Sequence, residues 1–251
     1  MPKDAKKTAD MPVQIADQIK QAIMSGALIV DTRLPSEAEM AEHFSVSRPT
    51  VREALKRLAA QNLIRTLRGA TGGAFVNRLR FEDAYDQQIT TSTLLLSMNS
   101  VSFDTACEAR FSLERACVNL AAERRSPDQL AAMRAETHRQ SQTGLTDEAF
   151  CASDVAFHRA LVDSADNPVL SYQLAGAVEA MQPLMNMITF SARSRERIVA
   201  LHNDIADAIE ARDAARADAI LGALEIYTRD LARQVLARRD AKNTAAHPPN
   251  D

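Results

Sequence analysis

The chain has 251 residues, of which 46% are hydrophobic and 25% are charged, and its formal net charge at pH 7 is −3. This composition is typical of a soluble protein and excludes a disulfide-stapled scaffold, because Cys107, Cys117 and Cys151 form no C-x-x-C pair and no even framework. No stretch approaches the ~20 uninterrupted apolar residues of a membrane span. We therefore expect reduced thiols, a cytoplasmic location and no contact with a membrane.

The charge is divided unevenly along the chain. Residues 1–80 carry 13 Lys and Arg against 8 Asp and Glu, whereas residues 81–251 carry 17 against 25. A basic module followed by an acidic one indicates that only the first part meets a polyanion such as DNA.

Three helices are predicted in the first part of the chain. The first covers about residues 11–25, has one apolar face and ends at Gly26. Ser36 and Glu39 have the spacing of a capping box, which predicts a second helix ending near Phe44. Ser47 is a suitable N-cap for the third helix, in which Pro49 falls in the first turn.

The third helix carries basic residues on its exposed face. Arg48, Arg52 and Lys56 recur every four residues, opposite an apolar stripe. The runs LIRTL and GGAFV follow as short strands around the glycine-rich tip RGATGG, which contains Arg68. This order predicts a winged helix-turn-helix, whose third helix enters the major groove. The alternative is a basic face that is merely solvated.

The segments LPSEAEMAEHFSVSRPTVREALKRL and GATGGAFV resemble the DNA-binding domain of the GntR family of bacterial transcription regulators over about residues 11–76. The resemblance implies operator contacts by the residues at Arg48, Thr50 and Arg52 and by the wing glycines. Hydroxyls beside a helix N-terminus also suit phosphate contacts. The expected DNA-binding residues are Ser36, Ser47, Arg48, Thr50, Arg52, Arg68, Gly72 and Gly73.

The sequence departs from that family's pattern at three places. Relatives usually have Pro-Gly where Val30 and Asp31 stand, and many carry an operator-contacting Arg where Ala38 stands. Asn62 replaces a common glycine after the recognition helix, and asparagine tolerates the left-handed conformation that a helix end needs.

The remainder of the chain has the periodicity of helices throughout. Helices are predicted over residues 82–98, 103–124, 127–142, 147–164, 168–190, 194–211 and 214–239. The predicted fold class is mostly α: an N-terminal winged helix-turn-helix followed by an all-α bundle of about seven helices. The predicted boundaries are 1–76 for the DNA-binding domain, ordered from about residue 11, 77–81 for a linker, 82–240 for the bundle, and 241–251 for a disordered tail.

Polar residues fall on the apolar faces of several bundle helices. In FCASDVAFHRAL, Asp154 and His158 lie four residues apart, and His202 lies on a different helix. Arg110 is in line with buried positions of its own helix. These residues form a site within the bundle, or Asp154 and His158 are a satisfied core pair and Arg110 pairs with a glutamate of its own helix, Glu114 or Glu108.

The order of these residues resembles the FCD ligand-sensing domain of the FadR branch of GntR regulators, over about residues 82–238. The resemblance implies a divalent metal such as zinc, held by an Asp and three His, that helps to bind a small carboxylate effector. Asp154, His158 and His202 match the first three ligands, and with Arg110 they form the expected effector site. Leu224 aligns with the fourth ligand, unless a register slip brings in Glu225.

The expected function is a ligand-responsive transcription regulator. It would bind a palindromic operator in double-stranded DNA as a homodimer and act as a repressor that a small organic or sugar acid releases. The alternative is a metal-dependent enzyme with an accessory nucleic-acid-binding domain. The sequence disfavours the enzyme, because no phosphate-binding glycine loop, nucleophile motif or additional general base accompanies the Asp and His residues.

Overall fold

The computed structural model describes residues 3–69, 72–99, 101–181 and 193–246, and side chains from residue 11 to residue 238 within those ranges. The chain divides into two compact units, Met1–Arg80 and Phe81–Asp251. Both units are mainly helical, which confirms the predicted fold class. None of the described helices combines the length and apolar character that a membrane span requires.

The first unit contains three helices and one hairpin. Its elements are α1 (Lys3–Met24), α2 (Glu37–His43), α3 (Arg48–Ala60), β1 (Ile64–Leu67) and β2 (Gly73–Val76). The two strands pair antiparallel, from Ile64 opposite Val76 to Leu67 opposite Gly73. Apolar side chains from all five elements form the core of this unit, which is a winged helix-turn-helix.

Sequence features set the boundaries of these elements. Ser36 accepts a hydrogen bond from the backbone of Glu39, whose side chain returns one to Ser36, so the capping box is complete. The helix α1 begins at Lys3, earlier than the predicted residue 11, because the Lys- and Ala-rich segment before it favours helix. Asp31 and Asn62 have φ angles of 67° and 56°, the left-handed conformation that glycine adopts most easily.

The second unit contains seven helices within its described residues. They are α4 (Phe81–Met98), α5 (Phe103–Arg124), α6 (Pro127–Gln140), α7 (Asp147–Asp163), α8 (Pro168–Glu179), α9 (Arg195–Glu210) and α10 (Ala214–Ala246). The N-caps of α5 to α9 are Ser102, Ser126, Thr146, Asn167 and Ser194, all of which accept a backbone N–H.

Two predicted helix ends differ from the structure. The helix α8 ends at Glu179 rather than at residue 190, although most of the difference, residues 182–190, lies outside the described residues. The helix α10 continues to Ala246, so residues 241–246 are helical where a disordered tail was expected. Alanine and lysine in AKNTAA favour continuation of the helix up to the first proline, Pro248.

The core of the second unit lies between α5, α7, α9 and α10. Large apolar side chains from these helices pack together, among them Phe111, Phe157, Leu161, Ile205 and Leu221. The polar residues singled out in the sequence project into this apolar region, because they share helix faces with the core residues.

Candidate metal centre and nucleic-acid interface

Asp154, His158 and His202 come together in the interior of the second unit. Asp154 and His158 project from successive turns of α7, and His202 projects from α9. One potential ligand atom from each residue lies within 4.8 Å of the other two. All three side chains are buried, with His202 completely inaccessible.

The Nδ1 atom of each imidazole forms a hydrogen bond with an oxygen of a neighbouring side chain. His158 Nδ1 donates to Glu114 Oε2 at 2.6 Å, because a carboxylate can only accept. His202 Nδ1 lies 2.9 Å from Gln140 Oε1. These contacts place the proton on Nδ1 of each ring and leave Nε2 with its lone pair available for coordination.

The ring of His202 stacks on an aromatic side chain, while its Nε2 atom remains without a hydrogen bond among the described residues. Phe157 stacks on it with 4.0 Å between ring centroids and 10° between ring planes. Its Nε2 atom is buried and has no hydrogen-bond partner among the described residues, and the carboxylate oxygen Asp154 Oδ1 lies 3.7 Å from it. A buried polar atom in this state is costly unless something else binds it.

The electrostatics of the cluster favour a neutral imidazole beside ionised carboxylates. Burial lowers the pKa of His202 to about 3, although the charge of Asp154 opposes this change. Burial alone would raise the pKa of Asp154, but His202, His158 and Arg110 outweigh it and lower that pKa. Burial would likewise raise the pKa of Glu114, but the charges and hydrogen bonds of His158 and Arg110 lower it to about 2.

This donor set fits a divalent cation. One carboxylate and two imidazole nitrogens are ligands that zinc and other first-row transition metals accept. The unpartnered Nε2 of His202, together with Nδ1 atoms held by Gln140 and Glu114, is the arrangement in which histidine ligates a metal in proteins.

A small cavity of about 20 Å³ adjoins the cluster. Its wall includes Arg110, Asp154, His158, Leu224 and Tyr227. A volume of this size accommodates a single water molecule or a metal ion. An organic acid is larger, so it fits only if side chains in the wall move.

Arg110 and Leu224 both lie on the wall of this cavity. The Nε atom of Arg110 donates to Glu114 Oε1 at 2.7 Å, which is the pair within one helix that the sequence left open, whereas Glu108 is an exposed partner of Arg229. Leu224 is 3% exposed and lines the same cavity as Asp154 and His158. Glu225 instead pairs with Arg229 at 3.1 Å.

The predicted DNA-binding residues of α3 lie at its first two turns. Ser47 caps the helix, accepting from the Thr50 backbone N–H, and its hydroxyl lies 2.8 Å from that of Thr50. Arg48 and Arg52 are exposed. Arg52 donates to both carboxylate oxygens of Glu37, a contact with α2 that the sequence analysis did not anticipate.

Arg68, Gly72 and Gly73 lie at the end of the hairpin, where Arg68 follows β1 and Gly72 precedes Gly73, the first residue of β2. Arg68 is exposed, and the tip residues 70 and 71 lie outside the described residues. A Cβ atom at Gly72 would overlap the backbone carbonyls of Leu67 and Gly69, so only glycine fits there. Arg33 donates to the Gly72 carbonyl at 2.6 Å, which links the wing to the segment before α2.

Three residues of these sites were missed as such by sequence reasoning. Glu114 was recognised only as a partner of Arg110, although its spacing from Arg110 was visible. Gln140 contacts His202 on a helix that is distant along the chain, and Glu37 contacts Arg52 across the turn between α2 and α3. No local pattern of the sequence indicates either contact.

Comparisons with known proteins agree with both halves of this description. The model of the family described as bacterial regulatory proteins, gntR family, matches residues 12–76, and the model described as FCD domain matches residues 105–224. The galactonate operon transcriptional repressor of Escherichia coli (strain K12) is 30% identical over 169 residues, which are 67% of this chain and 72% of the relative.

Other relatives extend over more of the chain. The putative L-lactate dehydrogenase operon regulatory protein of Escherichia coli (strain K12) is 28% identical over 215 residues, covering 80% of this chain and 78% of the relative. Among solved structures, Streptococcus agalactiae GntR has the same fold, with a TM-score of 0.54, 21% identity and coverage of 88% of this chain and 99% of that one. The chain therefore belongs to the GntR family of bacterial transcription regulators, in the FadR-like branch with an FCD domain, and is a ligand-responsive DNA-binding regulator.

Proposed function

We propose that the protein is a cytoplasmic, homodimeric repressor that leaves its operator when a small organic or sugar acid binds in the second unit. The buried convergence of Asp154, His158 and His202 carries this proposal. Such a cluster inside an apolar core is expensive to maintain, and binding of a charged ligand is the role that offsets its cost.

The first unit supplies the DNA-binding surface. Arg48 and Arg52 can pair with guanine edges in the major groove, and Ser47 and Thr50 can donate to a phosphate at the N-terminus of α3. The wing adds Arg68, Gly72 and Gly73, and Ser36 stands at the N-terminus of α2. One small winged helix reads few base pairs, so a dimer on a palindromic site provides the specificity that a genome requires.

Asp154, His158 and His202 are the residues that would hold a divalent metal such as zinc. The metal would supply positive charge and open coordination positions for an anion. Glu114 and Gln140 keep the two imidazole rings in the tautomer that presents Nε2, and Phe157 fixes the orientation of His202. Arg110 adds a second positive group on the cavity wall for a carboxylate.

The names of two relatives indicate the class of acid. One is a galactonate operon repressor and another is a putative regulator of an L-lactate dehydrogenase operon. Galactonate and lactate both carry a hydroxyl on the carbon next to the carboxylate, so both offer two oxygens at chelating distance. We extend this class, 2-hydroxy acids, to the present chain.

The small size of the cavity supports a proposal for how binding is communicated. Because about 20 Å³ cannot hold a hydroxy acid, the acid binds an arrangement of the wall residues that differs from the ligand-free one. An effector shifts a conformational equilibrium only through its different affinity for the two arrangements. A site that must widen to accept its ligand meets this requirement.

The test is the substitution His158→Ala, with His138→Ala as a matched control because His138 is exposed on α6. We expect His158→Ala to lower the metal content of purified protein and to abolish the release of selected operator DNA by 2-hydroxy acids. Binding of DNA without effector should remain, because the substitution lies in the second unit. A wild-type response from His158→Ala would refute the proposed site.

A further inference from the structure

A bidentate contact on the surface of the first unit joins α2 to α3. Arg52 Nη2 donates to Glu37 Oε2 at 2.7 Å, and Arg52 Nε donates to Glu37 Oε1 at 3.1 Å. Arg52 is exposed and Glu37 is half-buried, with 58% and 36% of their side-chain areas accessible. A bidentate pair fixes the plane and direction of the guanidinium group.

Glu37 contacts only one edge of the Arg52 guanidinium group and leaves the edge that can pair with a base accessible. A guanidinium has five N–H donors, and Glu37 takes the Nε donor and one donor of Nη2. The opposite edge, formed by Nη1 and the second donor of Nη2, is the fork that pairs with O6 and N7 of guanine. Glu37 therefore holds Arg52 from the side without occupying the atoms that recognise a base.

Electrostatics support the same assignment. The hydrogen bond to Arg52 lowers the pKa of Glu37, and the nearby charge of Arg48 lowers it further, so Glu37 stays ionised between the two arginines. A carboxylate at this place repels phosphate, which reduces affinity for any DNA. Glu37 is also dispensable for the capping box of α2, which Ser36 and Glu39 complete.

We propose that Glu37 is a positioning residue for base readout: it orients Arg52 toward one base pair in each half-site and exchanges non-specific affinity for discrimination. The inference rests on the proposed binding of operator DNA by α3. Holding a long side chain before binding removes the entropic cost of ordering it in the complex. The gain applies only when Arg52 meets its correct base, whereas the repulsion applies on every sequence.

The experiment compares Glu37→Gln with Glu53→Gln in the full-length protein. Glu53 is a matched control, because it also pairs with an arginine of the first unit, at 3.6 Å, but that arginine is Arg57, whereas the described ion pair of Arg52 is with Glu37. A duplex selected from a random pool by the wild-type protein serves as the site. Each of its base pairs is then substituted in turn, and affinities are measured at one salt concentration. Arg52→Ala identifies the base pair that Arg52 reads.

Both glutamine variants should bind non-specific DNA at least as well as the wild type, because each loses one negative charge. Only Glu37→Gln should lose discrimination, by about twofold to tenfold per half-site, at the base pair identified with Arg52→Ala. Unchanged discrimination in Glu37→Gln, or a loss spread evenly over all base pairs, would overturn the inference. If the wild-type protein selects no sequence from the pool, the proposed DNA readout fails, and this inference fails with it.

Discussion

Replacing Leu224 with histidine tests whether this leucine occupies a ligand position of the metal centre. Leu224 is 3% exposed and shares the cavity wall with Asp154 and His158. The substitution adds a third imidazole beside the two already present, so the number of candidate protein ligands rises from three to four. Four protein ligands give a closed tetrahedral site, which zinc favours in structural centres.

Leu224→His should destabilise the metal-free protein but strengthen its binding of zinc. In metal-free protein, a buried imidazole without partners costs about 2 kcal/mol, which lowers Tm by about 4–8 °C for a domain of this size. The binding free energy of zinc at structural sites with four ligands is about 10–16 kcal/mol, or about 3 kcal/mol for each ligand. One more ligand should therefore tighten zinc binding about a hundredfold.

The assay is competition with a chelator of known affinity, paired with thermal unfolding before and after addition of zinc. Leu221→His is the matched control: Leu221 is fully buried in the same core, one turn earlier on α10, and it is absent from the described cavity wall. It should be destabilised like Leu224→His and gain no zinc affinity. Equal zinc affinity in the two variants would refute the placement of Leu224 at the centre.

Two further predictions concern the residues around the same centre. Glu114→Gln should lower the free energy of unfolding by about 3–5 kcal/mol, because Arg110 and His158 lose a buried ionised partner. The same variant should bind metal about 10- to 100-fold more weakly. Urea unfolding and chelator competition measure these two effects, and an unchanged unfolding midpoint would contradict the buried pair. Metal-free protein should lose stability as the pH falls from 6.5 towards 3, because the unfolded chain protonates His202 in this range and the folded chain does not. The unfolding midpoint should depend less on pH in His202→Gln, and identical pH profiles would contradict a neutral His202.

Local features of the sequence determined the elements and their order. The capping residues Ser36 and Ser47 are in the structure the N-caps of the helices that they predict, because a cap satisfies backbone donors within its own turn and needs no distant partner. The left-handed conformation of Asn62 was likewise foreseeable, because it depends on the residue itself. The two domains and the family followed from motifs of this local kind.

The same locality limited what the sequence indicated about the sites. It paired Asp154 with His158 through the helical period, but it offered the convergence of His202 with that pair only as one of two alternatives, which the order of residues in a resembling family favoured. The alternative partners of Arg110 and the register of Leu224 stayed open, because both depend on how α5 and α10 rotate against α7.

The tertiary structure alone decided the partners that lie across helices. Glu114 and Gln140 reach the imidazoles of His158 and His202 from other helices, and Glu37 reaches Arg52 across the turn between α2 and α3. It also set the cavity at about 20 Å³. Such contacts depend on how whole helices pack, because packing must minimise voids and pair buried polar groups over the entire core. No short stretch of sequence determines that arrangement.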